Sequence, residues 1–213
     1  MPKFLPNQSW RLNKIAGRPG WIHQQIVKLS IPDIVKEDAI IILDSDVFFI
    51  KSFSVSQLLS QSTQRALIRI HPLSESGMQR EHMSKSREIL NIPPGNTDFH
   101  YLAWPVVWYK DLIIQLQEYL SKTNNQHWQY TLLEAGVISE YTLYGLYLEE
   151  ILKYENLNVI TEQLHLGIWD KHDFKRFLSD DFSLHPNTFC IVVQSNLGID
   201  VKEYYQKINN FLK

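Results

Sequence analysis

One short segment constrains the fold more than any other part of the sequence. Residues 39–43 read Ala-Ile-Ile-Ile-Leu, an unbroken apolar run rich in β-branched side chains, and the chain continues directly into Asp44-Ser45-Asp46. β-Branched residues favour extended backbone, and continuous apolar runs are typical of strands covered on both faces in an α/β sheet. The segment therefore predicts a buried strand that ends at two carboxylates.

Predicted helices and strands alternate along the rest of the chain. Apolar periodicity and capping residues predict helices over residues 21–29, 79–90, 111–120 and 140–152, the last capped by Ser139, and a C-terminal helix capped by Asp200. Further strands are predicted at 66–70, 105–109 and 189–193, whereas 160–187 should form loops and short helices. This alternation predicts an α/β fold with a mixed or parallel sheet flanked by helices, in a single domain over residues 1–213.

Charge and composition exclude several classes of protein. The 21 Lys and Arg residues against 23 Asp and Glu give a net charge of −2, so we expect no nucleic-acid partner. No apolar stretch approaches the ~18 to 20 residues of a membrane-spanning helix, and we expect that the first residues of the sequence are not a secretory signal. The one cysteine, Cys190, lies in a predicted buried strand and cannot form an internal disulfide. We therefore expect a cytoplasmic protein without a transmembrane segment.

Asp44 and Asp46 are the first candidates for chemistry. Side chains at positions i and i+2 of an extended segment point the same way, so both carboxylates should lie side by side. Hard divalent cations such as Mg²⁺ and Mn²⁺ prefer oxygen ligands of this kind. The alternative is an Asp-x-Asp turn that only ends the strand, since aspartate is common in turns.

Four blocks, in chain order, resemble a known family. They are Gly-Trp-Ile-His-Gln-Gln-Ile-Val-Lys-Leu at 20–29, Leu-Asp-Ser-Asp at 43–46, Ser-Glu-Tyr-Thr-Leu-Tyr-Gly at 139–145 and Val-Gln-Ser-Asn at 193–196. Together they resemble a largely uncharacterised bacterial family of glycosyltransferase-like proteins with the glycosyltransferase A fold. The resemblance implies that a sugar moves from a nucleotide-diphosphate donor to an acceptor, either a glycan or a small molecule.

The resemblance also implies a metal centre. In that fold the Asp-x-Asp carboxylates, here Asp44 and Asp46, hold Mn²⁺ or Mg²⁺ against the donor's two phosphates. Such an ion would act as a Lewis acid on the charge that develops as the sugar leaves. His165, in His-Leu-Gly-Ile-Trp, is similar to the histidine by which some of these transferases supply a late metal ligand, although its spacing differs. An ordinary hydrogen-bonded histidine is the alternative.

The first helix should present a polar stripe beside the metal strand. Its members are Trp21, Gln24, Gln25 and Lys28. They could bind sugar hydroxyls, and the alternative is a solvated helix face with the tryptophan anchored in the core.

Glu140 is the candidate catalytic base. It follows the predicted cap, where the helix dipole favours an ionised carboxyl, and the alternative is an ordinary first-turn glutamate. Trp104 and Trp169 are the candidate stacking surfaces for sugar rings, although large aromatic residues are most often core material.

The sequence leaves other possibilities open. A phosphatase of the haloacid dehalogenase type would use Asp44 as nucleophile and Asp46 as acid, with Asp180 and Asp181 at a Mg²⁺ site, but Phe48 departs from its motif. A fold that has lost catalysis would be a module that binds glycans or proteins. Few residues precede the metal strand compared with the glycosyltransferase A fold, so we expect an N-terminally incomplete sheet whose exposed edges favour self-association.

Overall fold

The chain forms a mixed α/β fold. The computed structural model describes residues 19–60, 70–72, 77–95, 98–154 and 164–212. The helices in these ranges are α1 (Pro19–Leu29), α2 (Gly77–Ile89), α3 (Lys110–Thr123), α4 (Trp128–Ala135), α5 (Glu140–Leu146), α6 (Lys171–Leu178) and α7 (Tyr205–Asn210). The strands are β1 (Ala39–Ile42), β2 (Val47–Phe49), β3 (His71–Pro72), β4 (Phe99–His100), β5 (Val106–Tyr109), β6 (His165–Ile168) and β7 (Cys190–Val193).

The described strands form three small sheets instead of one continuous sheet. β1 pairs antiparallel with β5, with Ala39 opposite Tyr109, and β3 pairs antiparallel with β4. The third sheet has the order β2-β7-β6, in which β7 is antiparallel to β2 and parallel to β6. The α/β prediction is confirmed, and the three-stranded sheet is mixed.

β7 is buried on both faces. Cys190 and Val192 belong to the larger hydrophobic cluster, and Ile191 and Val193 belong to a smaller cluster that includes residues of α6 and α7. Successive side chains of a strand point to opposite faces, so β7 separates the two clusters. The prediction of a buried strand ending at Val193 is confirmed.

β1 is less buried than its sequence predicts. Ile42 is buried, but Ile41 keeps 39% of its surface exposed and Ala39 is exposed. The prediction that this strand is covered on both faces is wrong. A β-branched apolar run predicts an extended backbone. The burial of each face of the strand depends instead on which distant elements pack against it.

Most predicted helices are confirmed, with changes at their ends. α5 begins after the cap Ser139 but stops at Leu146, where a π-helical turn over Tyr147–Ile151 continues it. Asp200 caps a 3₁₀ turn, Val201–Glu203, and the C-terminal helix follows that turn.

Several described elements were not predicted, among them β2, α4 and β6. β6 and α6 occupy part of the region predicted as loops and short helices, and β6 was missed because its glycine and histidine weaken the strand pattern. The strand predicted at 66–70 lies almost entirely outside the described residues. No helix in the described ranges is long and apolar enough to cross a membrane.

Candidate functional site

A turn, not an extended segment, carries the two motif aspartates. β1 ends at Ile42, a turn follows at Ser45 and Asp46, and β2 begins at Val47. The amide of Val47 donates to the carbonyl of Asp44 at 3.4 Å. The expectation that both carboxylates point the same way assumed extended backbone, and the turn instead gives each a different set of partners.

Asp44 lies in a buried polar cluster. The Lys28 ammonium donates to Oδ1 of Asp44 and, at 2.6 Å, to Oε1 of Glu140. The indole Nε1 of Trp104 donates to Oδ2 of Asp44 at 3.0 Å. Both oxygens of Asp44 therefore accept hydrogen bonds from the protein itself.

Tyr141 completes this arrangement, which we call the Lys28 cluster (Lys28, Asp44, Trp104, Glu140 and Tyr141). Its hydroxyl accepts from Trp104 Nε1 at 3.0 Å and from Lys28 Nζ at 3.3 Å, and it lies 3.5 Å from Oδ1 of Asp44. The Lys28 ammonium also lies 4.7 Å from the centre of the Tyr141 ring. Lys28, Asp44, Trp104 and Tyr141 each contact at least two other members, and Glu140 contacts Lys28.

Burial shifts the ionisation of the cluster. Exposed fractions of the side chains fall from 20% at Asp44 to 12% at Lys28 and 3% at Glu140, so the cluster opens to solvent on the Asp44 side. Burial raises the pKa of Glu140 above its ordinary value, against the opposing charge of Lys28. Burial alone would lower the pKa of Lys28, but the charges of Glu140 and Asp44 outweigh it and raise the pKa.

Asp46 is anchored to the end of β7. Its carbonyl accepts from the amide of Val193 at 3.1 Å, and its Oδ2 accepts from the amide of Ser195, also at 3.1 Å. The residue is half-buried. Asp46 therefore faces the end of β7, whereas Asp44 faces α1 and α5.

The four sequence blocks converge on this turn. Lys28 comes from the first block, Asp44 and Asp46 from the second, Glu140 and Tyr141 from the third, and Val193 and Ser195 from the fourth. The contacts span up to 149 positions of the sequence, between Asp46 and Ser195. Blocks that are distant in the sequence thus supply the partners of one two-carboxylate turn.

Among the described residues, Lys28 is the one member of the predicted polar stripe on α1 that belongs to the Lys28 cluster. Trp21 stacks on His82 with ring centres 5.1 Å apart. Gln24 is exposed, and Gln25 is 2% exposed and donates to the carbonyl of Trp21 at 3.1 Å. The two glutamines lie on different sides of the helix, so the predicted stripe is split between solvent and core.

His165 contacts the cluster through Trp104 and not through the aspartates. Its ring meets the Trp104 indole edge-on, with centres 5.1 Å apart, and lies 5.5 Å from the ring of His71. In the sheet His165 is opposite Cys190, which is opposite Phe49, three residues beyond Asp46. That offset amounts to about 10 Å along the strand.

His71, which lies beside His165, also lies beside a third histidine, His100. His71 and His100 lie with ring centres 5.6 Å apart, and Nδ1 of His100 accepts from the amide of Leu102 at 3.1 Å. Burial, with the nearby His71, lowers the pKa of His100 to about 4. His100 is therefore neutral at physiological pH.

The two predicted tryptophans have different environments. Trp104 is 2% exposed and serves as a hydrogen-bond donor within the cluster, so its faces are packed. Trp169 is 37% exposed and lies beside Trp104, with ring centres 5.6 Å apart. Only the second offers a surface to a ligand.

Comparison with known proteins assigns a family. A family model matches residues 3–213. The chain belongs to DUF6492, a family of unknown function. No curated protein matches the chain.

The carboxylates of this DUF6492 protein do not form a complete metal centre by themselves. In the described ranges, no group of three or more His, Cys, Asp and Glu side chains is arranged to hold an ion. Asp46 has one oxygen that accepts no hydrogen bond from the described residues, and Asp44 is engaged by Lys28. Mg²⁺ is commonly held by one or two carboxylates together with substrate phosphates, and of the two motif carboxylates Asp46 is the one with an oxygen left for such a role among the described residues.

Two residues of the site described above were not predicted from the sequence to be functional. Tyr141 and Ser195 both lie in the resembling blocks, but neither was assigned a role. A tyrosine directly after a buried acid, and a polar residue two positions beyond a buried strand, were the available signals. Their partners are far away in the sequence, so only the fold reveals their contacts.

Proposed function

We propose that this protein is a nucleotide-sugar-dependent glycosyltransferase with a glycosyltransferase A-like fold, and that the Asp44-Ser45-Asp46 turn receives the donor diphosphate. The convergence of four distant sequence blocks on this turn is the observation that carries the proposal. A purely structural turn would need no lysine buried between two carboxylates, because a buried ion pair is costly to desolvate and adds little stability.

In this proposal Asp46 and Asp44 would hold a Mn²⁺ or Mg²⁺ ion that arrives with the diphosphate. The ion would stabilise negative charge on the departing diphosphate. Lys28 can remain on Glu140 when Asp44 changes partners, since its ammonium has three donors. The cluster thus has a way to keep its buried carboxyl paired while Asp44 binds a ligand.

Glu140 acts on the ligand indirectly in this proposal. The sequence favours it as the base for an acceptor hydroxyl, but its side chain is 3% exposed and hydrogen bonded to Lys28. An acceptor hydroxyl must come within hydrogen-bond distance of a general base. We therefore assign Glu140 to positioning Lys28.

Calorimetric titration tests the proposal. Wild-type protein is titrated with UDP-hexoses and GDP-hexoses, with and without Mn²⁺. We expect saturable, Mn²⁺-dependent heat with at least one donor, and at least tenfold weaker binding in Asp46→Asn. Asp180→Asn is the matched control, because Asp180 is 82% exposed and pairs with Lys207. Absence of heat with every donor, or equal binding by Asp46→Asn, would contradict the proposal.

A module that binds glycans without catalysis is the second candidate. It is favoured by the engagement of Asp44 by Lys28, which must be exchanged before that carboxylate can take another partner. Such a module would bind sugars but give no Mn²⁺-dependent heat with nucleotide donors.

The phosphatase alternative has less support. Asp180 pairs with Lys207 at 2.5 Å and Asp181 lies 3.5 Å from Arg176, and neither joins a metal-holding group with Asp44 in the described ranges. Hydrolysis of a generic phosphate ester, lost in Asp44→Asn, would favour it over sugar transfer.

A further inference from the structure

Trp169 lies directly across the backbone of Gly167. A Cβ atom at position 167 would come within 2.7 Å of Cζ2 of the Trp169 indole and closer still to its Nε1 and Cε2. Real Cβ atoms do not approach other atoms so closely, so the indole occupies the space that a side chain would fill. Glycine at 167 therefore lets the ring lie against strand β6.

A second contact fixes the position of the indole relative to the site. Trp104, whose Nε1 donates to Asp44, packs beside Trp169 with ring planes inclined at 40°. Trp169 follows the last residue of β6, Ile168, whose carbonyl accepts from the amide of Gln194 at 3.2 Å. The next residue, Ser195, donates to Asp46. Trp169 is thus linked to both motif aspartates through short contacts.

The exposed ring and its neighbours match the chemistry of a pyranose. A pyranose presents a flat set of C–H groups on one face and several hydroxyl donors around its edge. Trp169 supplies an apolar aromatic surface, and Asp46 keeps one carboxylate oxygen that can accept from a sugar hydroxyl. A pyrimidine base fits this acceptor-rich edge less well, because it carries few N–H donors.

We propose that Trp169, seated on Gly167, is the stacking platform for the pyranose ring of the ligand, with the edge hydroxyls directed to the Asp44-Asp46 turn. The inference deepens the proposed function and rests on it for the location of the site. Gly167 acts by positioning the platform, and Trp169 contacts the sugar.

Saturation-transfer NMR with methyl glucoside, methyl galactoside and methyl mannoside tests the platform without any nucleotide. We expect transfer to the ring C–H protons of at least one glycoside in the wild-type protein. Trp169→Ala should remove it, and Trp169→Phe should weaken binding by about threefold to tenfold because a smaller ring remains. Gly167→Ala should weaken it similarly, since the new methyl group displaces the indole.

Gly20→Ala is the matched glycine control, because a Cβ there meets no atom within 4 Å, and it should bind like wild type. Far-ultraviolet circular dichroism with a cooperative thermal transition confirms that each variant is folded. No transfer to any glycoside in the wild type, or undiminished transfer in Trp169→Ala, would overturn the platform. If the glycosides bind while nucleotide donors give no heat, the platform stands and the transferase proposal fails. If nucleotide donors bind but no glycoside does, the transferase proposal stands and the platform fails.

Discussion

Two lysines of this protein make the same kinds of contact and are similarly buried, with 12% of the Lys28 side chain and 15% of the Lys207 side chain exposed, but their carboxylate partners differ in exposure. Lys28 binds Asp44 and Glu140 and lies over the ring of Tyr141, and Lys207 binds Asp180 and lies 5.4 Å from the ring centre of Phe177. Glu140 is 3% exposed, however, whereas Asp180 is 82% exposed. The comparison teaches that the contribution of an ion pair to stability does not follow from its contacts alone. Removing the lysine leaves a carboxylate that is either solvated or buried without a partner, and these two outcomes differ in free energy.

The largest difference should follow removal of each ammonium group. Lys28→Met leaves a buried carboxyl unpaired, which typically costs about 3 to 5 kcal/mol. Lys207→Met leaves a solvated carboxylate, so its cost should stay below about 1 kcal/mol. Urea denaturation of both variants measures the free energy of unfolding, and similar losses in the two would break the comparison.

A double-mutant cycle should sharpen the same contrast. Glu140→Gln removes the charge that Lys28 neutralises, so Lys28→Met should cost less in that background, with a coupling of about 1 to 3 kcal/mol. The corresponding cycle of Lys207→Met and Asp180→Asn should give less than about 0.5 kcal/mol. Additive effects at Lys28 and Glu140 would show that the buried contact is not an energetic unit.

The pH dependence of stability should also differ. Because burial raises the pKa of Glu140, the folded protein binds more protons than the unfolded chain above the ordinary carboxyl range of about 4.3. Its contribution to stability therefore falls as pH rises through the raised pKa. Glu140→Gln should flatten this part of the stability profile, whereas Asp180→Asn should leave it as in the wild type. Identical stability profiles for Glu140→Gln and wild type would contradict a raised pKa at Glu140.

Salt should produce the smallest effect. Exposed pairs are screened at high ionic strength and buried pairs much less. Raising NaCl from 0.05 to 1 M should reduce the difference in stability between wild type and Lys207→Met to near zero. The difference between wild type and Lys28→Met should persist. A salt-dependent cost at Lys28 would mean that water reaches the cluster.

Local patterns predicted much of the fold. The helix ending at Leu29, the strand at 39–42, the cap Ser139 and the strand ending at Val193 are confirmed, since each rests on periodicity, branching or capping within a few residues. β6 and the exposure of β1 escaped prediction, because they depend on which segments pair and pack across the chain.

The sequence predicted several residues of the site but not the contacts between them. Lys28, Asp44 and Glu140 were candidates, and the structure brings them into contact. Their pairing depends on contacts across as many as 112 positions, and no local pattern specifies such a contact. The divergence of Asp44 and Asp46 contradicts the expectation of an extended segment and agrees with the alternative, an Asp-x-Asp turn at the end of the strand.

Electron paramagnetic resonance of Mn²⁺ tests the central claim most directly. The described residues supply the two motif carboxylates but no three-ligand group, so the protein should retain Mn²⁺ tightly only when a nucleoside diphosphate is present. Asp46→Asn should abolish this nucleotide-dependent retention, and Asp180→Asn should keep it. Retention of Mn²⁺ that is the same without nucleotide, or the same in Asp46→Asn, would contradict a diphosphate site at the Asp44-Asp46 turn.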